Sequence, residues 1–273
     1  MIKDITLGQY FPGNSILHRL DPRMKIILTL LFIVTIFLAK SIFAYTAILV
    51  FVFSLLFLSK LPVKTVLKGI KPVLFVIIFT AVINIFWTKG EILLFDFWII
   101  DVYFEGVLFA FYMFIRIVSL VMGTSIILTY TTSPIDMTDG IEQLLAPLKK
   151  LKVPVHEFSM MMSIALRFIP TLIEETDKIM NAQKARGADF SSGNLLQRAK
   201  ALIPVLIPLF VSSIRRADDL ATAMECRCYR GGDGRTRMKS LKYSPADFIF
   251  LFVSVLVGVL IVLLNVTLPV LVV

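Results

Sequence analysis

Ile26–Ser59 reads IILTLLFIVTIFLAKSIFAYTAILVFVFSLLFLS, thirty-four residues with one charge, Lys40. As a single helix it would run ~50 Å, against a hydrocarbon core of ~30 Å. The stretch therefore predicts two short membrane spans folded as a hairpin that turns near Lys40–Ser41. Downstream, Lys64, Lys68 and Lys71 fall at i, i+4 and i+7 opposite Val63, Val66, Leu67 and Ile70. That spacing suits an amphipathic stretch, Leu61–Lys71, lying in the interface with its lysines reaching toward headgroups. Pro72–Thr88 reads as a third span ending in Trp87, and Glu91, Asp96 and Asp101 form a polar interruption. Phe104–Tyr130 makes a fourth span and Phe248–Val266 a fifth.

Composition agrees. The chain has 273 residues, of which 58% are hydrophobic and 17% charged, with a mean hydropathy of +0.86. Soluble domains average ~45–50% apolar and ~25% charged, so a water-soluble fold is excluded, as are disorder, collagen and a disulfide-rich secreted scaffold. The expected class is an all-α integral membrane protein with about five transmembrane helices plus long amphipathic cytoplasmic coupling helices.

Charge sets the expected orientation. Seventeen of the 28 Lys and Arg residues lie between Thr131 and Tyr243, where 12 acidic residues leave a net +5. Arg19, Arg23 and Lys25 flank the first span, and Lys60, Lys64, Lys68 and Lys71 follow the second; the other two loops carry Lys40 and Lys89 alone. The positive-inside rule then places the N-terminus in the cytoplasm of a multi-pass protein. Met1–Arg23 does not read as a cleavable signal peptide. The expected organisation is an N-terminal membrane region with four spans (1–131), cytoplasmic coupling helices (132–243) and a C-terminal span (244–273).

Within 132–243, Thr132-Ser133-Pro134 followed by Asp136 signals a helix start. A long helix after Pro154 carries Met161, Ala165, Phe168, Leu172 and Ile179 at helical spacing, and another runs from about Leu195 to Tyr229. Ala201–Val211 is apolar nearly all round but short, and Pro204 and Pro208 interrupt it, so it reads as interfacial or buried rather than spanning.

The two long helices end alike, in Ala185-Arg186-Gly187 and Cys226-Arg227-Cys228, each about one helix length after an Ile-Pro pair (Ile169-Pro170, Ile207-Pro208). An arginine among small residues at a helix end stands clear, and its planar fork suits a carboxylate or carbonyls on a partner. By spacing alone, each arginine could equally do no more than complement a helix C-terminus.

Taken in order, these motifs resemble the transmembrane T component (EcfT/CbiQ-like) of energy-coupling factor (ECF) ABC-type transporters. The resemblance covers nearly the whole chain. It rests on His18-Arg19-Leu20-Asp21-Pro22-Arg23-Met24-Lys25, on Arg167-Phe168-Ile169-Pro170, on the two X-Arg-X motifs, and on Tyr229-Arg230-Gly231-Gly232-Asp233-Gly234-Arg235-Thr236. Cys226 and Cys228 depart from the Ala and Gly commonest in that motif. The resemblance implies a coupling subunit of the prokaryotic cell membrane. Two ABC-type ATPases would dock at Arg186 and Arg227 with their flanking Ala185, Gly187, Cys226 and Cys228. The long helices would pass motion to a small membrane substrate-binding (S) subunit, for uptake of a vitamin or transition metal ion.

The residues themselves fit that division of labour. The sequence contains no G-x-x-x-x-G-K-[ST] phosphate cradle, so ATP is expected on another chain. Neither enzymatic activity, a cofactor, a metal site nor a nucleic-acid partner is expected; the basic charge reads as affinity for membrane lipids. Arg116, in the fourth span, is a candidate intramembrane polar site, or a residue hydrogen-bonded to carbonyls between helices. Two rivals remain. A stand-alone secondary transporter would want more polar residues in its spans. A metal-dependent membrane phosphotransferase is suggested by Asp136-Met137-Thr138-Asp139-Gly140, but its usual Ala-Arg continuation is here Gln143-Leu144.

Overall fold

The computed structural model describes residues 10–87, 93–97, 100–190, 192–232 and 241–267. Among them the chain forms helices α1 (Pro22–Leu38), α2 (Ile42–Ser59) and α3 (Val63–Trp87), then an antiparallel ribbon of β1 (Leu93–Phe97) and β2 (Ile100–Tyr103). Helices α4 (Phe104–Thr124), α5 (Pro134–Leu144), α6 (Val155–Ala185), α7 (Leu195–Cys226) and α8 (Pro245–Thr267) follow. The protein is all-α apart from that small ribbon, which occupies part of the expected polar interruption; Glu91 lies outside the described residues.

Among the described residues five helices are long and apolar enough to cross a membrane: α2, α3, α4 with its continuation to Thr129, α7 and α8. The number is the expected one, but the membership differs. At 17 residues α1 is only ~25 Å long, the short first arm of the predicted hairpin, and it turns into α2 at Ala39–Ser41 as read from Lys40. Helix α7 is unbroken through Pro204 and Pro208, so its apolar half extends beyond the stretch seen in the sequence. Leu61–Lys71 likewise does not stand apart: Val63–Trp87 is one 25-residue helix with Pro72 inside it.

The chain divides into two compact units, one formed by Gly8–Gly140 with Ser240–Val273, the other containing Ile141–Lys239. In the first, Leu28, Phe32 and Ile36 of α1 pack with Ile48 and Val52 of α2, Met122 of α4, Ile126 and Ile261 of α8. Large apolar side chains such as Phe57, Phe75 and Trp87 face outward, at 85%, 76% and 83% exposure, a surface suited to lipid.

Polar clasps hold the ends of α1. Asp21 caps α1 through the Arg23 N–H (2.9 Å), with Pro22 at the first helical position. The Asp21 N–H itself donates to the buried Asp247 Oδ1 of α8 (2.9 Å), and the Ser244 N–H donates to Asp247 Oδ2 (2.6 Å). At the other end, Asn265 of α8 accepts from the Lys40 and Ser41 N–H groups (3.1 and 3.2 Å) and donates to the Leu38 carbonyl (2.7 Å). Because Asp247 meets the start of α1 and Asn265 its end, the two helices run parallel. Lys25, one of the charges flanking the first span, is buried at 2% exposure. Its Nζ donates to the Thr131 carbonyl (2.8 Å), beyond a π-helical turn, Ser125–Thr129, that closes α4. A lysine can satisfy carbonyls freed at a helix end, which is the use made of it here.

Candidate functional site

The second unit is built on α6 and α7, which pack against one another. Three side-chain bonds set their direction. Glu175 of α6 accepts from Arg216 and from Ser212 Oγ (3.1 Å) of α7, and Gln183 Nε2 reaches the Pro204 carbonyl (3.5 Å). Moving forward along α6 therefore means moving backward along α7, so the pair is antiparallel. The bond to Pro204 has a local cause. In a regular helix that carbonyl would accept from residue 208, which is proline and has no N–H, so the Gln183 amide replaces the missing donor. That exchange is one reason α7 tolerates its two prolines.

The ends of these helices carry the two arginine motifs, and the backbone treats them identically. Ala185 is the last residue of α6 and Arg186 its C-cap (φ −89°, ψ 7°); Cys226 is the last residue of α7 and Arg227 its C-cap (φ −92°, ψ 14°). The next residue is left-handed in both, Gly187 at φ +88° and Cys228 at φ +54°. Gly187 N–H donates to Lys184 O (2.9 Å) and Ala188 N–H to Gln183 O (3.0 Å). Correspondingly, Cys228 N–H donates to Glu225 O (2.8 Å) and Tyr229 N–H to Met224 O (3.0 Å). Both are Schellman closures, the motif that satisfies the last carbonyls of a helix by reversing the chain. Gly187 supplies the reversal without steric cost. Cys228 makes the same reversal with a side chain, which is where the departure from Gly has a physical consequence.

All six residues, Ala185, Arg186, Gly187, Cys226, Arg227 and Cys228, are exposed, and both cysteines are free thiols. Neither motif guanidinium is held by a hydrogen bond or ion pair among the described residues. Each is a cation presented beyond a rigid helix end with its donors available.

Around the first motif, Asp189 is engaged by Ser192 (Oγ to Oδ2, 2.5 Å), and the Asn194 N–H donates to Gln197 Oε1 (3.0 Å), starting α7 with a capping-box interaction. After the second motif, Gly232 lies against the His156 ring, where a Cβ would sit 2.4 Å from Cδ2; His156 Nδ1 is 3.0 Å from Glu142 Oε1. The rest of the glycine-rich tail, with Gly234, Arg235 and Thr236, is outside the described residues.

Arg116 is in the other unit. Its Nη2 donates to the Ala39 carbonyl (3.2 Å) and to Tyr45 Oη (2.5 Å), while the Tyr45 hydroxyl donates to the same carbonyl (3.1 Å). The interhelical bond to a carbonyl, one of the two readings of this residue, is therefore present. In the Asp136–Gly140 motif, Asp136 accepts from Ser133 Oγ (2.7 Å) at the start of α5, and Gly140 packs on Pro22. Sequence reasoning missed the Glu175–Arg216 pair, Asp247 and Asn265. A lone Asp in the first turn and a lone Asn near the last turn of an otherwise apolar α8 were the available signals.

Comparison with known proteins places these motifs in a family context. Residues 13–239 match the model of the CbiQ family, described as cobalt transport protein. The chain is 55% identical over 255 residues to a Ruminiclostridium cellulolyticum protein named energy-coupling factor transporter transmembrane protein EcfT, covering 93% of this chain and 95% of the relative. Proteins of the same name from Clostridium kluyveri and Bacillus subtilis are 58% and 47% identical, covering 91% and 90% of this chain and 92% and 93% of theirs.

Proposed function

This chain belongs to the CbiQ family of cobalt transport proteins, and from that premise we propose that it is the transmembrane coupling subunit of an ECF-type ABC importer. It links ATP hydrolysis by two partner ATPases to a small membrane substrate-binding subunit that takes up a vitamin or transition metal ion. It catalyses no reaction itself. Residues 1–131 and 244–273 form the membrane region, 132–243 the cytoplasmic coupling helices, and the N-terminus is cytoplasmic. The parallel run of α1 and α8, with the basic loops around 19–25 and 60–71, supports that orientation.

Arg186 and Arg227 are the docking residues, one for each ATPase, with Ala185, Gly187, Cys226 and Cys228 keeping the approach open. The observation that carries this reading is the matched pair of Schellman closures, which present two unengaged arginines by the same backbone device. A guanidinium so placed enters a groove and bonds a carboxylate or several carbonyls in a fixed geometry. When the two ATPases close and separate over ATP, each arginine is carried with its groove. Helices α6 and α7 are stiff over 31 and 32 residues and tied at Glu175–Arg216, so they move as levers rather than bending locally.

The test is charge reversal in the assembled complex. Arg186→Glu or Arg227→Glu should each reduce recovery of the ATPases with the tagged chain and reduce uptake, and the double variant should abolish both. A well-folded double variant with unchanged recovery and unchanged uptake would remove the docking role.

A further inference from the structure

Helices α3 and α4 are longer than the α1–α2 hairpin, 25 residues for α3 and 26 for α4 through Thr129, against 17 and 18. A cavity of about 310 Å³ lies beside the α1–α2 turn, lined by Phe37, Lys40, Tyr45, Phe109, Tyr112 and Arg116 among others. Its chemistry is unbalanced. Among the described residues two cations line it and no carboxylate does.

Arg116 has five N–H donors. Its Nη2 bonds to Ala39 and Tyr45, its Nη1 meets only the Met113 thioether at 3.8 Å, and its Nε is buried without an acceptor. Lys40 is exposed and contributes a backbone bond to Asn265, and among the described residues its ammonium has no ion pair. Tyr45 and Tyr112 stack at 5.3 Å and form one wall. A charge in an apolar slab is costly unless paired, and a buried donor left unbonded carries a further cost. The turn's outer surface is apolar, with Phe37, Leu38, Ile42 and Phe43 all exposed.

We propose that the Arg116–Lys40 cavity is a binding site for a phosphate-bearing anion, most naturally the head group of an anionic phospholipid whose acyl chains lie along the exposed apolar residues of the α1–α2 turn. The guanidinium supplies its Nη1 donors, Lys40 adds a second positive charge, and Tyr45, stacked on Tyr112, holds the arginine through Nη2. This proposal is independent of the coupling role assigned to α6 and α7.

The experiment uses the purified full-length chain in lipid nanodiscs, read by native mass spectrometry. One arm holds phosphatidylglycerol as a minor component in phosphatidylcholine; the other holds phosphatidylcholine alone with added inorganic phosphate. Wild type should retain phosphatidylglycerol in preference to phosphatidylcholine. Arg116→Gln and Lys40→Gln should each weaken retention by about tenfold, the effect of losing one charged hydrogen-bonding group. Phosphate retained in the second arm and lost in both variants would assign the site to free phosphate, the same chemistry from another source. Should Arg116→Gln fail to fold, Lys40→Gln carries the test alone, since that side chain is exposed and makes no bond among the described residues. Wild type retaining neither anion, or retention unchanged in the folded variants, overturns the proposal. So does loss of a co-purifying protein in place of a lipid, which would point to a partner's carboxylate.

Discussion

Glu175 of α6 and Arg216 of α7 form an ion pair at the crossing of the two long helices, and each is followed eleven residues later by a motif arginine, Arg186 or Arg227. Eleven residues are about three turns and ~16 Å of rise, so each motif arginine sits on nearly the same helix face as its member of the pair. The two motif arginines are thus set at equal arm lengths from one fixed point. Ser212 adds a second bond to the Glu175 carboxylate at that point.

The first prediction concerns this point. Hydrogen bonds from Arg216 and then Ser212 hold the Glu175 carboxyl below its ordinary value near 4.5. A depressed carboxyl stabilises the fold above its unfolded pKa and loses that contribution as pH falls through the folded value. Amide-exchange protection of α6 and α7 should therefore be flat from pH 7 to about 5 and fall below 4.5. In Glu175→Gln the baseline should be lower and that pH step absent. The charge-swapped double variant, Glu175→Arg with Arg216→Glu, should recover protection relative to either single change.

A second prediction separates the two helix ends. Open space surrounds Gly187, so replacing it by Ala adds no clash and costs only the left-handed backbone, about 1 kcal/mol. Cys228 already bears that cost, and Cys228→Gly should stabilise by about the same amount. Thermal unfolding of the purified variants should move in opposite directions; equal and same-signed shifts would contradict the shared closure.

Close packing gives a third. A Cβ at Gly123 of α4 would lie 2.1 Å from the ring of Phe32, which is 3% exposed on α1. Gly123→Ala should destabilise by about 1–3 kcal/mol through forced displacement in a packed interior. Adding Phe32→Leu should return part of the loss, measurable as the midpoint of heat-induced aggregation.

The clasps at the two ends of α1 give a fourth. Asp247→Ala would leave the Asp21 and Ser244 N–H groups without an acceptor at a fully buried position, a loss of about 1–3 kcal/mol. Asn265→Ala strips the acceptor from Lys40 and Ser41 at a more exposed turn and should cost less. Limited proteolysis should cut near 39–41 in the Asn265 variant and spare that turn in the Asp247 variant.

Much of this architecture could be read from local pattern. The single charge in Ile26–Ser59 marks the α1–α2 turn, the proline after Thr132-Ser133 marks the start of α5, and the runs ending at Arg186 and Arg227 mark the ends of α6 and α7. These features depend on periodicity and on residues a few positions apart, and the free energies behind them are local: burial of one helix face, a cap, a length set by the bilayer. The same locality misled where a local cost is met from elsewhere. Pro204 and Pro208 argued against a spanning helix at Ala201–Val211, whereas α7 runs through both as one long apolar helix and the carbonyl freed by Pro208 finds its donor on Gln183, in another helix.

What the sequence determined by itself is therefore the list of helices, the membrane-crossing character of α2, α3, α4 and α8, and the small-residue setting of the two arginines. Tertiary structure decided the rest: that Lys25 is buried on Thr131, that Asp247 and Asn265 grip the two ends of α1 from more than 220 residues away, and that Glu175 pairs with Arg216. It also decided that Arg116 faces a cavity with a second cation and, among the described residues, no carboxylate. The reason is that a buried polar group must be satisfied by whichever residue packing brings to it, and distance along the chain carries no information about that choice.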